Sequence, residues 1–245
     1  MLACRLGRSK RMGCLAAAGA AFLAALLLSA PATAQQPPNC PASRTPIKLN
    51  FNTRAPAPIH NHRLTVAGIA NLLRSQGMPA PVGQRALGIT LTKTMFGLQG
   101  ASSIMRRGNG YCVYLTSVDV DFGWNRVEVY VPSEFPEGSC EYKVILDHEN
   151  QHVAINRTLL REFAPRLRAQ VEKILAGTKP FYTRNRAGGA DAVLENLNNQ
   201  LSGMLKEFEA LQASRNAGID SPANYKALSA MCKGWDRGGA PPQSR

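Results

Sequence analysis

Residues 148–152 read His148-Glu149-Asn150-Gln151-His152 and hold two of the four histidines in the 245-residue chain. On a helix, positions i and i+4 share one face and sit about 6 Å apart along the axis, at about 1.5 Å per residue. Two imidazoles so placed can bind one tetrahedral Zn²⁺, each through a ring nitrogen at about 2.0–2.1 Å. Glu149 points partly sideways, toward the open coordination position. There it can take a proton from a water that the ion acidifies toward a pKa of about 7, and return it to a leaving amine. The spacing is H-E-x-x-H, and the chemistry it specifies is hydrolysis, with His148 and His152 as ligands and Glu149 as general base. Without a metal, both histidines would be core residues needing other hydrogen-bond partners.

A third protein ligand must come from elsewhere. The histidine that follows in metzincins is missing, because Ile155 and Thr158 occupy the positions of its Gly and His. Asp220, in Gly218-Ile219-Asp220-Ser221-Pro222, is the preferred candidate, as an acid at a loop–helix junction. Glu195 comes next, then Glu207 and Glu209 on the same long helix. Asp220 also reads as an N-cap, and the glutamates as solvated helix surface. Asn156 shares the face of His148 and can hydrogen-bond a ligand from outside. Asp147 reads as surface charge. His60 and His62 make an H-x-H pair with no further ligand nearby. Asp119 and Asp121 read as the wet face of a strand.

These residues need a helix to carry them and a scaffold behind it. Residues 142–163 have the 3.6-residue apolar period, through Ile155, Leu159 and Phe163, with a kink or restart expected at Pro165. Residues 166–175 continue as helix. A second long helix is expected over 190–214, then a loop at 216–222 and a short helix over 225–231. Upstream, period-2 alternation predicts strands at Ile47 to Phe51, Leu64 to Val66, Ile89 to Thr94 and Tyr111 to Leu115. A helix is expected over 68–76. Val118, Val120 and Phe122 before Gly123-Trp124-Asn125, then Val127, Val129 and Val131, read as a hairpin. The expected fold class is α+β: a small antiparallel β-sheet half (45–135) packed on a helical half (139–235), in one zincin-like domain.

Residues 1–14 are basic, 15–29 are apolar, and Ala32-Thr33-Ala34 is a small-x-small site. They predict a signal peptide over 1–34, cut after Ala34, and a periplasmic or secreted destination. A linker is expected over 35–44 and a disordered tail over 236–245. Cys40, Cys112, Cys140 and Cys232 remain after cleavage, an even number suited to an oxidising compartment. The pairing favoured is Cys40 with Cys232 and Cys112 with Cys140, one of three possibilities. The chain carries 29 basic and 16 acidic residues, and removal of the leader takes away four of the basic ones. The remaining positive excess makes an anionic surface a candidate partner. The basic residues are scattered with few aromatics among them, so no nucleic-acid partner is expected. Oligomeric state is not legible.

Several runs, in order, carry a resemblance. They are residues 63–68, the leucines of the following helix, residues 86–92, Gly110-Tyr111-Cys112-Val113 and His148 to His152. Over residues 60 to 225 the chain resembles a bacterial family of predicted secreted zinc-dependent proteases, a domain of unknown function. The resemblance implies a β-rich half packed on an H-E-x-x-H helix, with His148 and His152 as zinc ligands and Glu149 as base. The family's downstream segment carries an Asp, to which Asp220 corresponds, and then a His-Gly where this chain has Asn224-Tyr225. The expected activity is a zinc metallopeptidase acting on peptide or protein in the cell envelope. The alternative is a non-catalytic exported module with a structural or vestigial metal site.

Overall fold

Residues 110–130 lack proline and place Val118, Val120, Phe122, Val127 and Val129 at positions from which solvent is excluded. They form one unbroken strand, β4 (Gly110–Tyr130), on which the sheet is built. The structure is a computed structural model and describes residues 39–78, 86–186 and 189–235. The expected signal peptide, part of the linker and the expected tail lie outside the described residues. All described residues belong to one compact unit.

Along one edge of β4 runs β3 (Ile89–Arg107), antiparallel over its whole length. Gly108-Asn109 joins the two, with Gly108 at φ +57°, a conformation that suits a two-residue hairpin. Along the other edge three short strands follow end to end. They are β5 (Phe181–Thr183), antiparallel, and β1 (Lys48–Arg54) and β2 (Ile59–Asn61), both parallel to β4. Pro56 and Pro58 separate β1 from β2 because proline gives no N–H to a ladder. The sheet is therefore mixed, not the antiparallel one expected. Alternation assigns a strand its faces but not its direction.

The hairpin expected at Gly123-Trp124-Asn125 is also corrected. β3 is long enough to pair with both flanking segments, so the three residues are absorbed as a bulge. Lys93 pairs with Arg126 and Thr94 with Trp124, leaving Asn125 as the extra residue. Gly123 sits at φ +139°, and a Cβ there would lie 2.0 Å from the Arg54 carbonyl oxygen. Glycine at this position lets β1 approach β4.

The strand expected at Leu64 to Val66 is replaced by the start of α1 (Val66–Ser75). Thr65 caps it, its hydroxyl accepting from the Gly68 N–H at 3.0 Å. The helical half consists of α2 (Cys140–Gly177), α3 (Gly189–Ile219) and α4 (Pro222–Ala230). Ser139 caps α2 by accepting from the Tyr142 N–H at 3.1 Å. No restart occurs at Pro165. The missing N–H costs one helical bond, while Leu160, Phe163, Ala164 and Leu167 stay buried on either side of it. Phe208 of α3 fits between Phe122 of β4 and Phe163 of α2, with ring centroids at 4.8 and 5.2 Å. One core thus joins sheet and helices.

The disulfides are Cys40–Cys112 and Cys140–Cys232, not the expected pairing. The cause is the unbroken β4. Eighteen residues of strand, at about 3.3 Å each, place Cys112 roughly 60 Å from the end that leads to Cys140. Gly123→Ala should destabilise the chain by about 3 kcal/mol, through the strained φ and the clash with Arg54. Urea unfolding measures it, and a loss under about 1 kcal/mol would show that the β1–β4 approach is looser than described.

Candidate metal centre

The buried face of α2 is apolar except at Glu141 near its start, which accepts from the Gly234 N–H, and at His148, Glu149, His152 and Asn156 further along. Ile145, Val153, Leu159 and Leu160 flank them. Groups of this kind stay folded inward only if partners reach them. The partners come from the end of α3, the start of α4 and the start of β3.

Asp220 lies just past the end of α3. Its Oδ1 is 3.2 Å from His148 Nε2, 3.1 Å from His152 Nε2 and 3.0 Å from the Tyr225 hydroxyl, which donates to it. It does not cap α4. Ser221 does so, accepting from the Asn224 N–H, while the Asn224 amide donates to the Ile219 carbonyl at 2.6 Å. The bend between α3 and α4 is thus closed by neighbours, leaving the Asp220 carboxylate to face the histidines. The loop expected at 216–222 shrinks to this bend, since α3 continues to Ile219.

His148, His152 and Asp220 place one ligand atom each within 4.8 Å of one another, and this group can hold a metal ion. Bonds of about 2.0–2.2 Å in a tetrahedron put ligand atoms about 3.3–3.5 Å apart. The observed separations from Asp220 to the two ring nitrogens are close to that already. Glu195, the next candidate, is exposed on α3 roughly 37 Å from Asp220 along the helix, at about 1.5 Å per residue. Glu207 binds Arg166 at 2.9 Å, and Glu209 is exposed. Asp147 is exposed too. His60 faces Asn150 and His62 the Val131 carbonyl, so the H-x-H pair is split between different partners. Asp119 and Asp121 accept from Asn50 and Asn52 across the β1–β4 pair.

Glu149 is held from the other side. Thr90 Oγ1 of β3 lies 2.8 Å from its Oε2 and 2.9 Å from its backbone carbonyl. Gly88 lets the chain pass close by: a Cβ there would be 2.6 Å from Glu149 Oε1. Beside the carboxyl is a cavity of about 30 Å³, walled by Leu87, Ile145, Leu228 and Trp235 among others. Burial raises the Glu149 pKa, and the two histidines and Thr90 only partly offset it. Burial works against the His152 imidazolium, but its bond to Asp220, the Glu149 charge and its bond to Asn216 override this and raise its pKa. Burial would raise Asp220, yet the bonds from His148, His152 and Tyr225 hold it well below the usual carboxylate range.

Thr90, Asn216 and Tyr225 were not singled out from the sequence. Asn216 and Asp220 are four apart, but a loop reading at 216–222 hid their shared helix face. Thr90 carries no local signal, because β3 reaches Glu149 only through the fold.

No protein-family model matches the chain, and no curated protein and no solved structure matches it either. Function is read from the side chains themselves.

The metal-free chain should lose stability as pH rises. Glu149, raised above 4.5, resists ionisation in the fold, so stability declines above that pH. His152, raised above 6.5, contributes stability below that pH and loses it as pH climbs through the folded value. Asp220 acts oppositely, losing its contribution as pH falls below 3.8. The melting temperature should therefore fall between about pH 5 and pH 8 in chelator, and fall less with metal present. A flat profile in chelator would contradict this.

Proposed function

We propose that the chain is an exported zinc-dependent metallopeptidase with a zincin-like arrangement, of the kind its sequence resembles. The observation that carries the reading is the convergence of His148, His152 and Asp220 beside a buried carboxyl one residue along the same helix. Two imidazoles and a carboxylate are a donor set suited to Zn²⁺ rather than to Ca²⁺ or Mg²⁺. A purely structural zinc site closes all four positions with ligands, whereas the described residues bring three together here. Two disulfides agree with export to an oxidising compartment.

When bound, Zn²⁺ supplies Lewis-acid polarisation and acidifies a water. The chain's own groups supply the rest. Glu149 is suited to proton transfer because burial raises its pKa toward the working range. It takes the proton of the attacking water at a carboxylate oxygen and passes it to the departing amine nitrogen as the peptide C–N bond breaks. Thr90 fixes the carboxyl orientation while this happens. Tyr225 holds Asp220, and its own proton is firmly retained, burial and the Asp220 charge both raising its pKa.

The test begins with zinc stoichiometry of the chain from Gln35 onward, produced by export so that its disulfides form. Near one zinc per chain is expected, and loss of it in His148→Ala. Glu149→Gln should keep the metal and lower peptide hydrolysis by at least about 10²–10⁴-fold. Absence of zinc after reconstitution would remove the metallopeptidase reading. Zinc binding with no effect of Glu149→Gln on any hydrolysis would favour a non-catalytic metal module.

A further inference from the structure

The two histidines are anchored differently, and the difference lies in an asparagine pair. Asn216 Oδ1 is 2.7 Å from His152 Nδ1. The Asn216 amide nitrogen donates to the Gln212 carbonyl at 2.7 Å and to Asn156 Oδ1 at 2.9 Å. A backbone carbonyl can only accept, so the amide orientation of Asn216 is fixed by Gln212 whatever its other neighbours do. Its Oδ1 must then face His152, and an oxygen accepts only from an N–H. His152 Nδ1 therefore carries a hydrogen. In the neutral ring, Nε2 is left with its lone pair, directed at Asp220 Oδ1 3.1 Å away. Two electron-rich atoms at that distance require a cation between them, either a proton or a metal ion. His148 has no such guide: its Nδ1 is buried and has no hydrogen-bond partner among the described residues.

We infer that Asn216 is a positioning residue that sets the tautomer of His152, with Asn156 bracing it from α2. This rests on the metal-site reading above and deepens it. The pair makes Nε2 the ligating nitrogen before any metal arrives, and His152 becomes the preset ligand to which His148 adds. Asn156 is 4% exposed, and its role is to hold the Asn216 amide against the helix. An outer hydrogen bond of this kind typically accounts for about 10–100-fold in metal affinity.

The experiment uses the full disulfide-bonded chain and Zn²⁺ alone. Chelator competition gives the affinity of the wild type, Asn216→Ala and Asn156→Ala. Two-bond ¹H–¹⁵N spectra of the wild type report which nitrogen of each histidine is protonated. Asn216→Ala should bind zinc about 10–100-fold more weakly, with a smaller loss in Asn156→Ala. The zinc-loaded wild type should show His152 as Nδ1–H with the metal on Nε2. An affinity within about threefold of wild type in Asn216→Ala would overturn the inference, as would zinc on Nδ1 of His152. If Asn216→Ala does not fold, the wild-type spectrum decides. If the wild type takes up no zinc, the metal reading fails separately. The metal-free spectrum at alkaline pH then tests the tautomer: Nδ1–H upholds it and Nε2–H overturns it.

Discussion

Asp220 Oδ1 meets His148, His152 and Tyr225 at once, and much of the helical half is arranged so that it can. Without an acceptor or a metal, the buried polar face of α2 would be a defect in the core. An unsatisfied buried polar group costs about 1–3 kcal/mol, and more when charged. The fold satisfies most of this face by bringing the end of α3 back over the histidines and the start of β3 against Glu149. That return needs α3 to be long, and it needs a sharp bend just after Asp220. Phe208 against Phe122 and Phe163 fixes the line of α3, and Ser221 with Asn224 fixes the bend. The same return delivers Asn216 to His152, one helical turn before Asp220.

How much of this was readable follows from the range of each signal. His148, Glu149 and His152 were legible because helical periodicity places them without reference to the rest of the chain. Asp220 was preferred over Glu195 only narrowly, because the choice depends on where α3 ends in space. Asn216 and Tyr225 depend on the same ending and were not found. In the sheet, alternation marked most of the residues that face the core, and it missed the direction of β1 and the existence of β2 and β5. The single misreading at Gly123-Trp124-Asn125 had the widest effect. A turn there would have folded β4 back on itself and brought Cys112 toward Cys140. The strand instead runs on through a bulge, and the disulfides pair accordingly. A glycine at positive φ serves a turn and a bulge alike, and the sequence around it does not distinguish them.

The sheet and the helices also meet at the carboxyl of Glu149. β3 begins at Ile89, and Thr90 reaches Glu149 while Gly88 passes beside it. On the opposite side Leu228 and Trp235 close the space. Cys140–Cys232 ties the segment after α4 to the first residue of α2, and the Gly234 N–H donates to Glu141 at 2.7 Å. Glu149 is thus enclosed by three parts of the chain that are distant in sequence. That enclosure raises its pKa, and it is the reason a carboxyl here differs from one on a helix surface.

The enclosure sets a condition on the proposed peptide hydrolysis. A cavity of about 30 Å³ admits a water but not an extended peptide. Something around Glu149 has to yield before a substrate carbonyl reaches it. α2 cannot, because most of its buried apolar residues belong to the main core, and β3 cannot, because it is paired with β4 along its whole length. α4 contains no buried residue, and its inner face touches the cavity through Tyr225, Leu228 and Ser229. It is held mainly from its ends, by Asp220 on one side and by Cys232 and Trp235 on the other. Local opening takes least free energy where few apolar contacts are broken, which places it at α4. Such an opening would draw Tyr225 away from Asp220, so access to Glu149 and the surroundings of Asp220 are coupled through one short helix.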